Sequence, residues 1–473
     1  MRSRTIISGL YTLAGLLIFC HIELFSAIIN VPADYPSIQA AINASAAGDT
    51  IVVSPGIYYE NLNFRGRNIV LTSLFYMDQD TSYISSTVIN GSAPSDPDTA
   101  SCVIFCSGED STAVLQGFTL TGGSGTIWTD IHGAGNYREG GGILIELSSP
   151  TVRHNVITNN SATSTAGVTS AGGGGIRIGD GNPYIENNVI SYNQGRYGAG
   201  IVLNYTGCTI RNNLIMNNSG GQEFYGGSGI WIYNNLPAKS KTIENNTIAH
   251  NSALVSGGTG GILVWSSINV NIRNNIVYGN NSVTGIQIKA VSATPQVNYC
   301  DVGGGYATGT GNIDLDPVFA EEGYFLKDVS PCIDAGDPEV AYNDPEDPGS
   351  PGNAMFPSKG AVLNDMGAYG GPGATVLPGI LLATGLANSD LPENQFHFSP
   401  NPFSTYTVLQ FPGTGTPATV DIIIADINGK TVKIYRNYNP GTQILTDDIA
   451  PGVYFFRIST GDKAIGKGKV IIE

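Results

Sequence analysis

The chain has 473 residues, of which 22 are lysine or arginine and 38 are aspartate or glutamate, so its formal net charge is −16. This acidic balance argues against a nucleic acid or an acidic membrane surface as partner, and a neutral or calcium-bridged polymer is more compatible with it. The 62 glycines and a charged fraction of 13% are typical of a turn-rich β protein, not of a disordered chain.

Residues 1–27 are predicted to be a secretory signal peptide. Arg2 and Arg4 precede an apolar run from Ile6 to Phe19, and the small residues Ser26 and Ala27 follow. An uncleaved membrane anchor is the alternative. We therefore expect the mature chain to be exported.

A block of sequence recurs six times between Gly142 and Tyr299. Each copy has a glycine, then Ile-x-apolar, a short turn, and an Asn-Asn pair or its equivalent before a second apolar pair. The isoleucines after the glycines are Ile143, Ile176, Ile201, Ile230, Ile262 and Ile286, which gives repeats of 24–33 residues. The alternation within each copy predicts strands with one buried face. Repeats of this length indicate a solenoid, with three strands per repeat, in which each repeat is buried against its neighbours.

Two columns of polar residues are predicted to stack along this solenoid and to act structurally. Stacked asparagines hydrogen-bond one another at strand spacing, and stacked charges of alternating sign pair across neighbouring strands. The asparagine column is Asn155, Asn188, Asn213, Asn246 and Asn275, with Tyr299 at the sixth position. The charge column is Arg153, Glu186, Arg211, Glu244 and Arg273.

Five cysteines remain beyond the predicted signal peptide. Cys102 and Cys106 lie in one extended run and are ~13 Å apart, which is too far for a mutual disulfide. Cys300 and Cys332 are a possible bridge. The odd number leaves at least one thiol unpaired within the chain.

The residues that alternate with the inward isoleucines place aromatic side chains on the outer face of the first sheet. Trp231 and Trp265 fall on adjacent repeats, and Asn204, Tyr233, Trp265 and Lys289 are predicted to form one column. Aromatic faces with interleaved amide and charged groups suit sugar rings. Surface aromatics that only protect strand edges are the alternative.

Two long segments, residues 124–140 and 219–227, are predicted to be loops beside this face. They contribute polar and aromatic side chains that a polysaccharide groove would use. These are Trp128, Asp130, His132, Tyr137, Arg138, Glu139, Glu223 and Tyr225.

The repeats, the asparagine column and the opening segment VPADYPSIQAAINASAAGDTIVV resemble those of the pectin-lyase-like right-handed parallel β-helix proteins over residues 28–370. The resemblance implies an all-β fold, a right-handed three-sheet parallel β-helix. It also implies an amphipathic helix over residues 35–44 that caps the open end, because an exposed end is an aggregating edge. In the resembling enzymes the first sheet and its flanking loops form the substrate groove.

Candidates for catalysis are few. A polysaccharide lyase needs a cation beside a uronate carboxylate and a base such as Arg, Lys or Tyr. Lys289 with Tyr233 is the best such pair, and Arg177 is a further candidate. The motifs of polygalacturonases, pectin methylesterases and mannuronan epimerases are missing, and fold resemblance alone confers no activity.

No cofactor is predicted, and calcium is the one metal considered. The loop AYNDPEDPGSPGN is acidic and rich in proline. Asp344, Glu346 and Asp347 are its candidate calcium ligands. A solvated loop without a metal is the alternative.

Residues 371–395 differ in composition from their surroundings and are predicted to be a linker. Four motifs follow in order: NPF at 401–403, DINGK at 426–430, PGVYFFR at 451–457 and KVII at 469–472. They resemble the type A sorting domain of the type IX secretion system over residues 396–473. The resemblance implies a small β-sandwich that the type IX secretion machinery recognises and that delivers the protein to the outer cell surface.

The sequence therefore predicts a secreted or surface-attached monomer that engages extracellular polysaccharide. A binding or adhesin-like protein is favoured by the missing catalytic motifs. A lyase-like enzyme acting on the first sheet is the alternative, and the groove aromatics and Lys289 favour it.

Overall fold

The computed structural model describes residues 26–378, apart from 222–225, 234–235, 237–238, 254–255 and 321–322. In the C-terminal part it describes residues 397–399, 406–410, 419–425, 431–439, 441–445, 449, 452–460 and 463–472. Residues 1–25 of the predicted signal peptide, most of the predicted linker, and the NPF and DINGK motifs lie outside these ranges. No helix in the described part of the chain is long and apolar enough to cross a membrane.

The described part of the β-helix has three long sheets, in which neighbouring strands pair in parallel and in chain order. Sheet 1 contains Leu62–Asn63, Val103–Phe105, Ile143–Glu146, Ile176–Gly179, Ile201–Asn204, Ile230–Tyr233, Ile262–Trp265 and Ile288–Val291. Sheet 2 contains Ile28–Val31, Thr50–Val53, Val70–Ser73, Val114–Gln116, Thr151–Arg153, Tyr184–Glu186, Cys208–Arg211, Lys241–Glu244, Val270–Arg273 and Gln296–Asn298. Sheet 3 contains Gly56–Tyr58, Thr87–Asn90, Thr119–Thr121, Val156–Thr158, Val189–Ser191, Leu214–Met216, Thr247–Ala249, Ile276–Tyr278 and Asp301–Val302. The predicted three-sheet parallel β-helix is confirmed.

Shorter elements complete this part of the fold. A minor parallel sheet contains Ser161–Ala162, Gln194–Gly195, Ser219–Gly220, Ser252–Ala253 and Asn281–Ser282. A side sheet of mixed pairing contains Thr99–Ala100, Gly125–Thr129, Asn136–Glu139 and Ser170–Gly172. Helices α1, α2 and α3 span Ile38–Ala44, Phe75–Asp78 and Ser82–Ser86, and a 3-10 turn spans Val340–Tyr342.

The isoleucines predicted to point inward form the core of the β-helix. Ile143, Ile176, Ile201, Ile230 and Ile262 pair in one continuous column of sheet 1. All of these side chains are fully buried. Burying one such side chain is worth ~1.5–3 kcal/mol. Because each turn adds several, the apolar stack supplies the main driving force for the fold.

The predicted asparagine column is a hydrogen-bonded ladder in the turn between sheets 2 and 3. Each amide nitrogen donates to the amide oxygen of the next asparagine at 3.0–3.1 Å. The buried members are Asn155, Asn188, Asn213, Asn246 and Asn275. The ladder satisfies polar groups that the tight turn would otherwise leave buried without partners.

A second asparagine ladder, which the sequence analysis did not single out, lies in the turn after sheet 3. Its amide-to-amide hydrogen bonds are 2.9–3.1 Å long. Its members are Asn160, Asn193, Asn218, Asn251 and Asn280. The residue before a ladder asparagine is left-handed, as at Tyr192 with a φ of 55°. That conformation turns the chain sharply and directs the following amide into the stack.

The last turn of the β-helix departs from the predicted register. Ile288, and not Ile286, pairs with Ile262. The reason is that Gln287 ends the second ladder, where its side-chain oxygen accepts from the Asn280 amide at 2.9 Å. The Gln287 side chain therefore takes the buried position, and Ile286 is left 43% exposed.

Cys300 and Cys332 act as buried hydrogen-bonding thiols and do not form a disulfide. Cys300, rather than Tyr299, ends the first ladder, where its sulfur accepts the Asn275 N–H at 3.4 Å. Cys332 donates to the carboxylate of Asp301 at 3.3 Å. The possible Cys300–Cys332 bridge is not formed, and all the cysteines in the described residues are free.

The predicted charge column is confirmed by the strand register of sheet 2. Neighbours in the column pair directly across the strands. Arg211 lies 2.7 Å from the Glu186 carboxylate, and Arg273 reaches outward to Asp337 at 2.7 Å. Surface pairs of this kind contribute at most ~1 kcal/mol each to stability. Their main effect is therefore to favour the observed register of neighbouring strands.

Helix α1 caps the N-terminal end of the β-helix, but it begins at Ile38 and not at Tyr35. Ser37 is the N-cap, and its hydroxyl accepts a backbone N–H of the first turn at 3.2 Å. The carboxylate of Glu60 accepts the N–H groups of the first two helical residues, each at 2.9 Å. Because these groups satisfy donors that the first turn leaves unpaired, the helix starts there.

Beyond sheet 3 the chain returns along the outside of the β-helix. Asn245 donates its amide to the carbonyl of Asp365 at 2.9 Å, and Asn212 donates to the carbonyl of Gly370 at 2.7 Å. Both asparagines precede a member of the first ladder. These two left-handed asparagines thus bind the returning segment to successive turns of the β-helix through side-chain hydrogen bonds.

The returning segment contains buried aspartates held by backbone donors. The Asp344 carboxylate accepts the N–H groups of Asp365 and Gly371. The Asp365 carboxylate accepts those of Asp334 and Lys359, each at 2.8 Å. Burial raises the pKa of Asp344 to about 8, and the charge of Asp365 adds to this effect. Burial also raises the pKa of Asp365 to about 7.

We expect the protein to become less stable as the pH rises from 6.5 to 8.0. The folded aspartates keep protons that the unfolded chain has released, so ionising Asp344 and Asp365 costs about 1–2 kcal/mol over this range. Burial lowers the pKa of His154 to about 4 and that of Lys241 to about 8, and these opposite effects act mainly outside the range. Thermal denaturation of Asp344→Asn should show a flatter pH profile, whereas Asp347→Asn should keep the wild-type slope. Equal slopes in both variants would contradict the assignment.

The candidate calcium ligands are engaged with backbone groups of their own segment. Glu346 accepts the N–H of Gly352 at 2.7 Å, and Asp347 accepts that of Gly349 at 2.8 Å. Asp344 is buried beside Asp365. Among the described residues, no group of three or more His, Cys, Asp or Glu side chains is placed to hold a metal ion.

The C-terminal part forms the predicted small β-sandwich. One antiparallel sheet contains His397–Ser399, Tyr406–Gln410 and Gln443–Leu445. The other contains Val420–Ala425, Thr431–Tyr438, Gly452–Thr460 and Lys463–Ile472. Apolar side chains of the two sheets share one core, in which the rings of Phe398 and Phe456 meet at 4.6 Å. The core therefore lies between the sheets, as in other sandwiches.

Candidate functional site

The first segment predicted to be a loop beside sheet 1 is instead a β-hairpin. Gly125–Thr129 pairs antiparallel with Asn136–Glu139, which also pairs with Ser170–Gly172 of the following turn. This pairing sets Trp128 and Tyr137 side by side, with ring centroids 6.0 Å apart. The hairpin therefore supplies rigidly placed aromatic groups, which a free loop would not.

The residue that follows five of the sheet 1 strands is left-handed, with φ of 43–52° at Leu147, Asp180, Tyr205, Ser266 and Ser292. Asp180 and Tyr205 hold this position on adjacent turns, and both meet His132 from the hairpin. The His132 Nε2 lies 3.0 Å from the Asp180 carboxylate, and its ring stacks on Tyr205 with centroids 3.7 Å apart. The His132 side chain is 27% exposed, so solvent or a ligand reaches this pair.

Tyr205 links His132 to the predicted aromatic column of sheet 1. Its ring meets that of Tyr233 edge to face at 5.2 Å. Burial raises the pKa of Tyr205, and the hydrogen bond to Tyr233 and the charges of Asp130 and Asp180 raise it further. The Tyr205 hydroxyl therefore stays protonated and serves as a hydrogen-bonding group.

The predicted column is present for Asn204, Tyr233 and Trp265, which pair on successive strands. We call His132, Tyr205, Tyr233 and Trp265 the aromatic row. It presents partly accessible rings over several turns at a spacing of ~4.8 Å per turn. That spacing and chemistry fit an extended ligand with apolar faces.

Trp231 lies beneath the aromatic row and is only 6% exposed. Its ring contacts those of Tyr197, Tyr233 and Trp265 at 5.0, 6.1 and 6.3 Å. The expectation that both tryptophans lie on an exposed face is therefore wrong for Trp231. The reason is that Tyr197, from the segment before the sheet 1 strand, folds over the outer face and covers it.

A buried ionic cluster adjoins the row. Arg177 is fully buried and pairs with Glu139 at 3.1 Å and with Glu146. Its guanidinium also lies 3.7 Å from the centroid of the Trp128 ring. Glu139 accepts from Trp128 at 2.9 Å and from the Tyr197 hydroxyl. Burial raises the pKa of Glu139, while Arg177 opposes this shift.

The predicted catalytic candidates lie in different surroundings. Arg177 is enclosed by its ion pairs, and Tyr233 belongs to the aromatic row. Lys289 pairs with Leu263 and not with Trp265, so it does not share the column of Asn204, and its ammonium donates to the carbonyl of Gly257. This follows from the two-residue register difference in the last turn.

Comparison with known families divides the chain into two recognisable parts. Residues 99–237 match the family described as "Right handed beta helix region", and residues 398–473 match "Secretion system C-terminal sorting domain". The chain therefore contains a right-handed β-helix region and a secretion sorting domain. The β-helix protein is thus addressed to the cell surface or the extracellular space, and its sorting domain implies an interaction with the type IX secretion machinery.

Solved structures provide distant matches. A pectin methylesterase variant in complex with a hexasaccharide is 10% identical, with a TM-score of 0.31 over 65% of this chain and 98% of that one. The pectate lyase Pel9A is 14% identical, with a TM-score of 0.32 over 73% and 96%. TM-scores this low do not extend either activity to the β-helix protein. No curated protein matches the chain.

Sequence reasoning missed the role of Asp180 and Tyr205. The signal was present, because both lie four residues after the repeat isoleucines Ile176 and Ile201. Their meeting with His132 was not readable, since it depends on how the hairpin folds back. Glu223 and Tyr225 of the second predicted loop lie outside the described residues.

Proposed function

We propose that the β-helix protein binds extracellular polysaccharide along the aromatic row. The observation that carries the proposal is the continuous contact from His132 through Tyr205 to Tyr233, with Trp265 on the next strand. Sugar rings offer C–H faces to aromatic rings and hydroxyls to polar groups.

The surroundings of the row support this proposal. The hairpin that carries His132 also holds the partly exposed rings of Trp128 and Tyr137, which lie 6.0 Å apart. Asn204 adds an amide in the same column, and Tyr205 adds a hydroxyl. Export to the cell surface or beyond places the row where extracellular glycans are present.

Replacing Tyr205 and Trp265 together with alanine is expected to weaken polysaccharide binding at least about tenfold, since each ring removes contact area and ring-specific attraction. Trp231 is a poorer target, because its removal would open a cavity under the row. Affinity electrophoresis against a panel of plant, algal and bacterial polysaccharides gives the measurement.

Tyr59→Ala is the matched control, because Tyr59 is 61% exposed and lies at the N-terminal end of the β-helix, several turns from the row. It should bind as the wild type does. Unchanged binding in the Tyr205 and Trp265 double variant, with its thermal stability preserved, would refute the proposed surface.

A lyase-like enzyme is the second candidate, favoured by the His132–Asp180 pair. A histidine held by a carboxylate, beside a protonated tyrosine hydroxyl, is suited to general acid–base chemistry. The same polysaccharide panel, incubated with and without calcium, should then yield new chain ends that disappear in His132→Ala. No new chain ends from any polymer would leave binding as the function.

A further inference from the structure

Negative charge is in excess around the aromatic row. Arg177 forms ion pairs with Glu139 and Glu146, and the charges of Asp180 and Asp130 also act on it. Four carboxylates therefore act on one guanidinium, so the acidic groups outnumber Arg177. They still outnumber the cations of this group when His132 is protonated.

Asp180 and Asp130 are the carboxylates of this group that contact His132 of the aromatic row. Asp180 contacts His132, whose ring stacks on Tyr205 of the row. Asp130 is buried in the turn of the hairpin, where its carboxylate accepts the backbone N–H of His132 at 2.9 Å. Lys289 lies at the last strand of sheet 1, and its ammonium is directed to the Gly257 carbonyl.

Such a site treats ligands differently according to their charge. A cation between aromatic faces and carboxylates is attracted by both. A uronate carboxylate at the same place meets like charges in a partly desolvated setting, where repulsion is screened less than in water. The net charge of −16 for the whole chain acts in the same direction.

We infer that the aromatic row selects polysaccharides whose sugars carry a positive charge, such as 2-amino sugars with a free ammonium, over neutral ones, and rejects polyuronates. The inference rests on the proposed function and specifies its substrate class. A lyase acting on a uronate would be disfavoured by the same charges.

The test uses ligands that share one β-1,4-glucan backbone and differ in charge. The full exported chain is titrated by calorimetry with cellohexaose, with the glucosamine hexamer and with the C6-oxidised, uronate form of cellohexaose. We expect the amino sugar to bind about tenfold more tightly than cellohexaose, and the uronate about tenfold more weakly. Raising the salt concentration should weaken binding of the glucosamine hexamer, strengthen binding of the uronate form and leave binding of cellohexaose unchanged.

Asp180→Asn removes one charge at the row, and asparagine tolerates the left-handed backbone of this position. The ratio of amino-sugar to uronate affinity should fall roughly fivefold in this variant. Asp328→Asn, a change at an exposed carboxylate that pairs with Lys359, should keep the wild-type ratio.

The outcomes separate the two proposals. Equal or tighter binding of the uronate overturns the charge selection while the proposed binding function stands. Binding of none of the three hexamers by a folded chain counts against both. Both proposals are supported if the three affinities follow the predicted order and the two charged ligands show opposite salt dependences. The ratio of amino-sugar to uronate affinity should then fall in Asp180→Asn and not in Asp328→Asn.

Discussion

Asn213→Ala is expected to lower the free energy of unfolding of the β-helix by about 4 kcal/mol. The Asn213 amide donates to the carbonyls of Ile185 and Arg211, each at 2.8 Å, and to Asn246 at 3.0 Å. Its oxygen accepts from the backbone and side chain of Asn188 at 3.0 Å. Removing the amide therefore leaves several buried polar groups without partners, each at a cost of ~1–3 kcal/mol.

Chemical denaturation followed by circular dichroism measures this loss. Asn271→Ala is the matched control, since Asn271 lies exposed on a sheet 2 strand outside both ladders, and it should change stability by less than about 0.5 kcal/mol. A loss below about 1 kcal/mol in Asn213→Ala would show that water replaces the amide in the ladder.

Arg177→Ala is expected to cost about 3–5 kcal/mol, because Glu139 and Glu146 would keep their burial but lose their counter-charge. Glu139 already has a pKa raised by burial, and Arg177 opposes that shift. Without Arg177 its folded-state pKa rises further above the unfolded value. The stability of the variant should therefore fall more steeply than that of the wild type as the pH rises above about 4.5. In acid the difference in stability between the two should be smaller.

Arg211→Ala provides the control for Arg177→Ala. Arg211 also pairs with a glutamate, Glu186, but its side chain is 37% exposed. Surface pairs of this kind contribute ~0–1 kcal/mol, so a small loss without this pH dependence is expected. Equal losses of stability in the two variants would mean that the contribution of the Arg177 ion pairs to stability does not depend on their burial.

The site was predictable only where it follows the repeat. Tyr233 and Trp265 alternate with inward apolar residues, so their outward direction and their adjacency were readable from spacing. His132 lies between two strands whose pairing depends on contacts with Thr99–Ala100 and Ser170–Gly172. No local periodicity marks that arrangement, so its contact with Asp180 and Tyr205 could not be derived.

The sequence by itself determined the solenoid, its strand period, the first ladder and the charge column. These features recur from turn to turn, and each copy pairs with the equivalent position of the next turn, so the local sequence pattern already indicates the tertiary contact. The tertiary structure alone decided the burial of Trp231 by Tyr197, the register change at Gln287 and the Arg177 cluster. Each of these joins segments that do not repeat, and their positions depend on which groups remain to be covered or paired once the regular stack has formed.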